Sequence, residues 1–129
     1  MLDFCSYMMP GYVRAGHLEK ITEKLKAVES GGIKRLMIFM PPRHGKSQLA
    51  SVMFPAWFIG RNPDKQIISA SYNADLASDF GRKVRNLVAS PEYKNVFPTI
   101  DLAEDSQAAN RWHTKVGGQY IAAGCRSCR

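Results

Sequence analysis

The residues best suited to chemistry form one short run, P-P-R-H-G-K-S, from Pro41 to Ser47. A nucleoside triphosphate binds where backbone N–H groups and a helix N-terminus face its oxygens, a flexible cation reaches the phosphates and a hydroxyl holds Mg²⁺. Gly45 permits close backbone approach, Lys46 would reach the β and γ phosphates, and Ser47 would coordinate the metal. The run therefore predicts a site for ATP with Mg²⁺.

Three neighbouring residues, Pro42, Arg43 and His44, complete the predicted cofactor site. The guanidinium of Arg43 could supply charge at the γ phosphate, which makes Arg43 and Lys46 the candidate catalytic residues. His44 is interpreted as a spacer whose backbone N–H matters more than its imidazole. Met40 stands where the standard G-x-x-x-x-G-K-[ST] pattern has its first glycine. The alternative interpretations are a polar helix N-terminus with an exposed lysine and, for Arg43, a surface arginine beside a loop.

A phosphate loop must lie between a strand and a helix, and the flanking residues predict both. The apolar run from Arg35 to Met40, bounded by turn signals, predicts a strand buried on both faces. Two prolines then remove ladder donors, so a loop follows. Beyond it, apolar residues recur at helical spacing, and Pro55 is expected to kink that helix or mark its last turn: Leu49, Val52, Met53, Ala56 and Trp57.

Further elements are predicted on both sides of this unit. An amphipathic helix runs from Gly16 through Val28 and ends at Gly31. A second buried strand is predicted at residues 66–72, and Asn73 then caps another helix. The apolar face of that helix is expected to carry Leu76, Phe80, Val84 and Leu87.

This order of elements predicts the fold class. Strand, helix, strand, helix favours α/β architecture, a P-loop NTPase-like parallel sheet flanked by helices, here incomplete. Gly117-Gly118 between residues 111–115 and 119–123 predicts a C-terminal β-hairpin. We therefore interpret residues 1–129 as one domain, with a helical lead-in (1–33), a β-α-β-α core (34–90), a loop and hairpin (91–124) and an aberrant tail (125–129).

The net charge favours a polyanionic partner. The 129 residues carry a formal charge of +7, with a pI near 9.5, and a positive field concentrates phosphate-bearing ligands. A generic basic surface that aids solubility explains the charge equally well. Arg82, Lys83 and Arg85 form a basic patch on the helix after Asn73, predicted to contact DNA phosphates or simply to form the solvated face.

The remaining composition predicts a cytoplasmic protein without a membrane partner. No apolar stretch approaches the roughly 18 residues that a membrane helix needs, and the first residues carry Asp3 with no early cation, unlike a secretory signal. Three cysteines, Cys5, Cys125 and Cys128, are too few for a disulfide framework or a four-cysteine zinc site. Half a metal site or a redox pair at C-x-x-C is the weaker alternative.

Three runs of sequence resemble, in order, the ATPase domain of phage large terminase subunits: I-F-M-P-P-R-H-G-K-S, I-I-S-A-S-Y-N-A-D-L-A and W-H-T-K-V-G-G-Q-Y-I-A-A-G. They span Ile38 to Gly124, and Arg43 matches the arginine of the family's deviant phosphate loop. The resemblance implies an ATP-driven motor that threads double-stranded viral DNA into a capsid inside a bacterial host. In the full-length family it also implies a portal protein and a small terminase subunit as partners, and a nuclease domain that these residues lack.

The resemblance also raises the question of hydrolysis. This class needs an acidic residue that ends a buried strand and orders Mg²⁺, usually beside a glutamate. Glu104 and Asp105 do not follow such a strand, and the family's acidic pair lies shortly beyond the hairpin. Residues 125–129 leave the family pattern, which suggests a frameshifted or degraded prophage gene. A remnant that binds nucleotide without hydrolysis, and a small-molecule P-loop kinase without a visible lid or acceptor pocket, are the alternatives.

Four aromatic or imidazole residues are interpreted mainly as structural. Tyr12 and His17 precede the first strand, where related ATPases often hold the adenine, but packing by Tyr12 and helix initiation at His17 are favoured. Trp112 is expected in a core or interface rather than in base stacking, and His113 beside it is expected to be structural.

Overall fold

A computed structural model describes residues 1–125, other than the side chain of Ser106. Cys128 and most of the predicted tail lie outside these residues. A π-helical segment, Gln48–Met53, leads directly into α3. The elements in chain order are α1 (Leu2–Met8), α2 (Gly16–Glu29), α3 (Phe54–Arg61), β1 (Gln66–Ser71), α4 (Ala74–Ala89), α5 (Pro91–Val96), β2 (Leu102–Ala108), β3 (Arg111–Thr114) and β4 (Gln119–Gly124).

The strands form one mixed sheet in the order β1-β4-β3-β2. β1 and β4 are parallel, with Ile67 opposite Tyr120, whereas β4, β3 and β2 are antiparallel neighbours. The predicted hairpin is confirmed, since β3 and β4 pair around Gly117, whose φ is 106°. The chain is therefore mixed α/β, with a sheet flanked by helices as predicted. In the part of the chain that the structure describes, one strand pairing is parallel, β1 with β4, and the other two are antiparallel, so a parallel sheet is present only in that pairing.

The core of this sheet lies under α4. Trp112 and Tyr120 are fully buried and stack with ring centroids 5.2 Å apart. The indole Nε1–H of Trp112 donates to the carbonyl of Gly81 on α4 at 3.3 Å. A Cβ at Gly81 would lie 2.2 Å from the carbonyl oxygen of Ala109. Only glycine lets α4 approach the sheet this closely.

The buried strand predicted at Arg35 to Met40 is wrong. These residues form neither helix nor strand, and they pair with none of the four strands of the sheet. Leu36 and Ile38 pack against the core, whereas Met37 and Phe39 are 82% and 86% exposed. An apolar run indicates burial only where a second layer covers it, and here one side of the run is covered.

The second predicted strand is present as β1, but it is not buried on both faces. Exposure alternates along it, and Ile68 is 70% exposed. Asn73 caps α4 as predicted, because its side chain accepts from the Asp75 N–H at 2.7 Å. The buried face of α4 differs from the predicted apolar face, and only Val84 belongs to both. The buried residues of this helix are Ala77, Gly81, Val84 and Val88.

The predicted helices around the phosphate loop are both present. α2 ends near Gly31, whose φ is 84°. The helix after the loop continues through Pro55, which is the second residue of α3 rather than part of a last turn. The Phe54 N–H bonds to the Leu49 carbonyl, five residues back. This wider turn accompanies the proline, which has no N–H for the helix ladder.

Three elements were not predicted: α1, α5 and β2. α1 and α5 pack together through Phe4 and Tyr93, whose ring centroids are 6.0 Å apart. The Tyr93 hydroxyl donates to the Ala56 carbonyl at 2.7 Å, and burial raises the pKa of Tyr93. Burial also raises the pKa of the Cys5 thiol on α1 to about 11.

Between residues 1 and 125 no helix combines the length and apolar character that crossing a membrane requires.

Candidate phosphate-binding site

The predicted phosphate loop is an exposed turn directly before a helix. Arg43 and Gly45 both have left-handed backbone conformations, with φ of 63° and 80°. Glycine adopts this conformation freely, but for arginine it is uncommon and costs free energy. The turn therefore contains one strained residue, held in place by its surroundings.

The helix that follows presents its N-terminus at this turn. The Leu49 N–H bonds to the Gly45 carbonyl at 3.0 Å, and Lys46 and Ser47 are the first helical residues. The N–H groups of a first helical turn have no partner inside the helix and carry partial positive charge. An anion at this turn would therefore face backbone donors as well as the Lys46 ammonium.

All six predicted cofactor residues line one hollow. Its volume is about 380 Å³, and its walls run from Met40 to Gln48. Lys46 is half-buried, while Pro42, Arg43, His44, Gly45 and Ser47 are exposed. The turn is thus open to a ligand, and its guanidinium, ammonium, hydroxyl and amide donors suit the oxygens of a phosphate chain.

Two histidines fix the shape of the turn. The His44 Nδ1–H donates to the Pro42 carbonyl at 2.8 Å. The His17 Nε2–H, from the first turn of α2, donates to the His44 carbonyl at 3.2 Å. The sequence interpreted His44 as a backbone spacer and did not predict the hydrogen bond of its imidazole to the Pro42 carbonyl. It interpreted His17 as a helix opener and did not predict its bond to the His44 carbonyl. Both contacts depend on tertiary structure.

A second, more apolar hollow adjoins the turn. It measures about 420 Å³ and lies between α2, the α1–α2 connection and the turn. Tyr12, Val13 and Leu18 contribute apolar wall. Burial, with a smaller effect of Cys5, raises the pKa of the Tyr12 hydroxyl, which has no hydrogen-bond partner within residues 1–125. The two hollows share Arg43, His44, Gly45 and Gln48.

Gln48 is a site residue that the sequence interpretation missed. Its side-chain amide lies 3.1 Å from the Met9 sulfur, a weak acceptor. Its position directly after Gly-Lys-Ser was the available signal, because the next helical residue still belongs to the first turn.

The predicted DNA-contacting residues lie on α4, and their charged groups make contacts within the chain. Arg82 forms an ion pair with Asp79 at 3.1 Å. Arg85 donates to the Gln107 carbonyl at 2.6 Å, and the Lys83 ammonium lies 5.8 Å from the Phe80 ring centroid. None of the three lines either hollow at the phosphate turn.

No Asp or Glu among residues 1–125 lines either hollow at the turn. Glu104 and Asp105 lie in β2, an antiparallel edge strand. Glu104 lines a separate hollow with Lys94, Asp101 and Lys115. Within residues 1–125, no three His, Cys, Asp or Glu side chains come together to hold a metal ion. A metal at the turn would depend on Ser47 and on oxygens of the ligand itself.

Comparison with known protein families, curated proteins and solved structures found no match to this chain.

Proposed function

We propose that this chain binds the triphosphate of ATP, with Mg²⁺, at the turn formed by residues 42–47. The observation that carries the proposal is the exposed turn with left-handed Arg43 and Gly45 at the start of a helix. Lys46 and Arg43 would neutralise phosphate charge, and the Ser47 hydroxyl would be a metal ligand. Mg²⁺ held there would offset the negative charge of the phosphates.

The neighbouring hollow supports a nucleotide rather than a simple phosphate. It lies directly beside the turn, it is large enough for a heterocyclic base, and its wall is mainly apolar. Ligand sites commonly combine such an apolar surface with a few polar groups, here His17 and Gln48. A base in this hollow and phosphates at the turn would use the four residues that the two hollows share.

The wider proposal is that the chain is the ATP-binding portion of a P-loop motor of the large terminase type. Support comes from the three resembling sequence runs and from Arg43, whose guanidinium lines the phosphate hollow. Such a motor would translocate double-stranded viral DNA into a capsid in the cytoplasm of a bacterial host. DNA phosphates at Arg82, Lys83 and Arg85 would compete with the bonds that Arg82 makes to Asp79 and Arg85 makes to the Gln107 carbonyl.

A second candidate function is nucleotide binding without hydrolysis. It is favoured because Glu104 and Asp105 lie in the edge strand β2 and neither lines a hollow at the turn. Turnover needs a group that positions or activates water. Steady-state ATPase measurements separate the two candidates, because a competent motor would show Mg-dependent turnover and the second candidate would bind only.

The decisive substitution is Lys46→Ala. Calorimetry with Mg-ATP should show binding by the unmodified chain and about ten- to a hundredfold weaker binding by the variant, because hydrogen bonds to charged groups contribute about 1.5–3 kcal/mol. Lys65→Ala removes an exposed lysine away from the turn and should bind like the unmodified chain. A folded chain without affinity for Mg-ATP, or equal losses in both variants, would contradict the proposal.

A further inference from the structure

We propose that His17 is a positioning residue that sets the direction of the Gly45 N–H in the phosphate turn. This inference rests on the proposed function, since it assigns the Gly45 N–H as a donor to phosphate. It concerns a residue outside the phosphate-loop motif, in the first turn of α2.

The inference begins with the peptide unit between His44 and Gly45. In a trans peptide the C=O and N–H lie in one plane and point in opposite directions. The His44 carbonyl accepts from the His17 Nε2–H at 3.2 Å, so it faces α2. The Gly45 N–H, at the other end of the same plane, therefore points away from α2.

This peptide is one that could otherwise reverse. Its rotation changes φ of the following residue, and glycine tolerates positive and negative φ almost equally. Gly45 now has φ of 80°. Without the bond from His17, little free energy would separate this orientation of the peptide from the reversed one. A reversed peptide would present the His44 carbonyl oxygen where the phosphate needs a donor.

Two further features place α2 close against the turn. The residue after His17, Leu18, is buried, and its methyl groups would lie 3.7 Å from a Cβ placed on Gly45. The His44 ring is fixed by its own bond to the Pro42 carbonyl and lies 5.9 Å, edge-on, from the His17 ring. Arg43, with its strained backbone, lies between Pro42 and His44, which this bond joins.

His17 also lines the apolar hollow beside the turn. A contact with the nucleotide base would therefore be a competing explanation for any loss of ATP affinity. Tripolyphosphate, which has the phosphate chain and no base, distinguishes the two explanations.

The test compares three substitutions at position 17 by calorimetry with Mg-ATP and with magnesium tripolyphosphate. His17→Phe keeps a ring but removes the donor, His17→Ala removes both, and His17→Gln places an amide N–H at a similar reach. His17→Phe and His17→Ala should weaken both ligands by about three- to tenfold, the size expected for one lost hydrogen bond. His17→Gln should stay within about twofold of the unmodified chain by the same criterion.

A second readout uses no ligand. The Gly45 amide resonance of the ligand-free chain should shift or broaden in His17→Phe and return toward its original position in His17→Gln. The inference is overturned if His17→Phe leaves tripolyphosphate affinity and the Gly45 resonance unchanged, or if only ATP binding falls. If the unmodified chain binds neither ligand, the proposed function fails, and an unchanged Gly45 resonance would then refute the positioning role separately.

Discussion

Trp112 is fully buried, whereas Phe39 is 86% exposed. The first belongs to the α4–hairpin unit (α4, β3 and β4), where its ring stacks on Tyr120 and its N–H bonds to Gly81. The second belongs to the phosphate segment, residues 35–47, named for its proposed ligand, which forms no strand and turns without joining the sheet. The two regions therefore place similar aromatic chemistry in opposite environments.

This difference separates stability from binding. In the α4–hairpin unit, close packing leaves little space for change, so substitutions there act on folding. In the phosphate segment, strained and exposed groups contribute little to folding and remain available to a ligand. A substitution in the α4–hairpin unit should therefore change stability more than binding. An exposed side chain of the phosphate segment, other than the strained Arg43, should affect stability little.

Trp112→Ala should produce the largest effect and is the strongest test of this separation. Loss of a buried tryptophan typically lowers the free energy of unfolding by about 3–5 kcal/mol, and the Gly81 carbonyl would also lose its partner. Urea unfolding followed by circular dichroism measures the change. Tyr72→Ala, at an aromatic that is 74% exposed, should cost no more than about 0.5 kcal/mol. A loss below about 1 kcal/mol for Trp112→Ala would show that the unit is not the stable core.

The sequence predicted most of what depends on local chemistry. Asn73 predicted a helix start because its side chain can accept a hydrogen bond from the backbone N–H two residues later. Gly117-Gly118 predicted a hairpin because glycine allows positive φ. The turn before the helix was located for the same reason, since Gly45, Lys46 and Ser47 are adjacent in the chain; phosphate binding there stays a prediction.

The features that could not be predicted from the sequence depend on contacts between residues that are distant in the chain. The apolar run at residues 35–40 has the same composition whether it is covered on one side or on two, so its burial was predicted wrongly. β2 has the sequence L-A-E-D-S-Q-A, too polar to be recognised as a strand, and it forms because β3 offers an edge. The bond from His17 to the His44 carbonyl joins residues 27 positions apart, and no periodicity signals it.

A matched pair at Arg43 sharpens the comparison with a smaller effect. Arg43→Ala and Arg43→Gly both remove the guanidinium, but only glycine relieves the cost of φ at 63°. The cost of the left-handed backbone is about 1–2 kcal/mol, partly offset by the greater freedom of glycine in the unfolded chain. Arg43→Gly should therefore be more stable than Arg43→Ala by about 1 kcal/mol, while both bind Mg-ATP more weakly than the unmodified chain.

Thermal unfolding and calorimetry on the same samples check both halves of this prediction. In a helix or strand, the same exchange of alanine for glycine would destabilise. Equal stability of the two variants, or a more stable alanine variant, would show that the turn is not left-handed at Arg43. If both variants bound Mg-ATP as tightly as the unmodified chain, the Arg43 guanidinium would not contribute to the site.

Phe39→Ser should produce the smallest change in stability. Serine at a side chain that is 86% exposed should alter the free energy of unfolding by no more than about 0.5 kcal/mol, and solubility should rise because exposed apolar surface is removed. Denaturant unfolding and the concentration dependence of light scattering measure these two effects. Leu36→Ser, on the covered side of the same segment, is the matched control and should cost more. A loss of about 3 kcal/mol or more at Phe39, as for a buried phenylalanine, would mean that the segment is a covered strand, as its composition alone suggested, and the contrast with Trp112 would disappear.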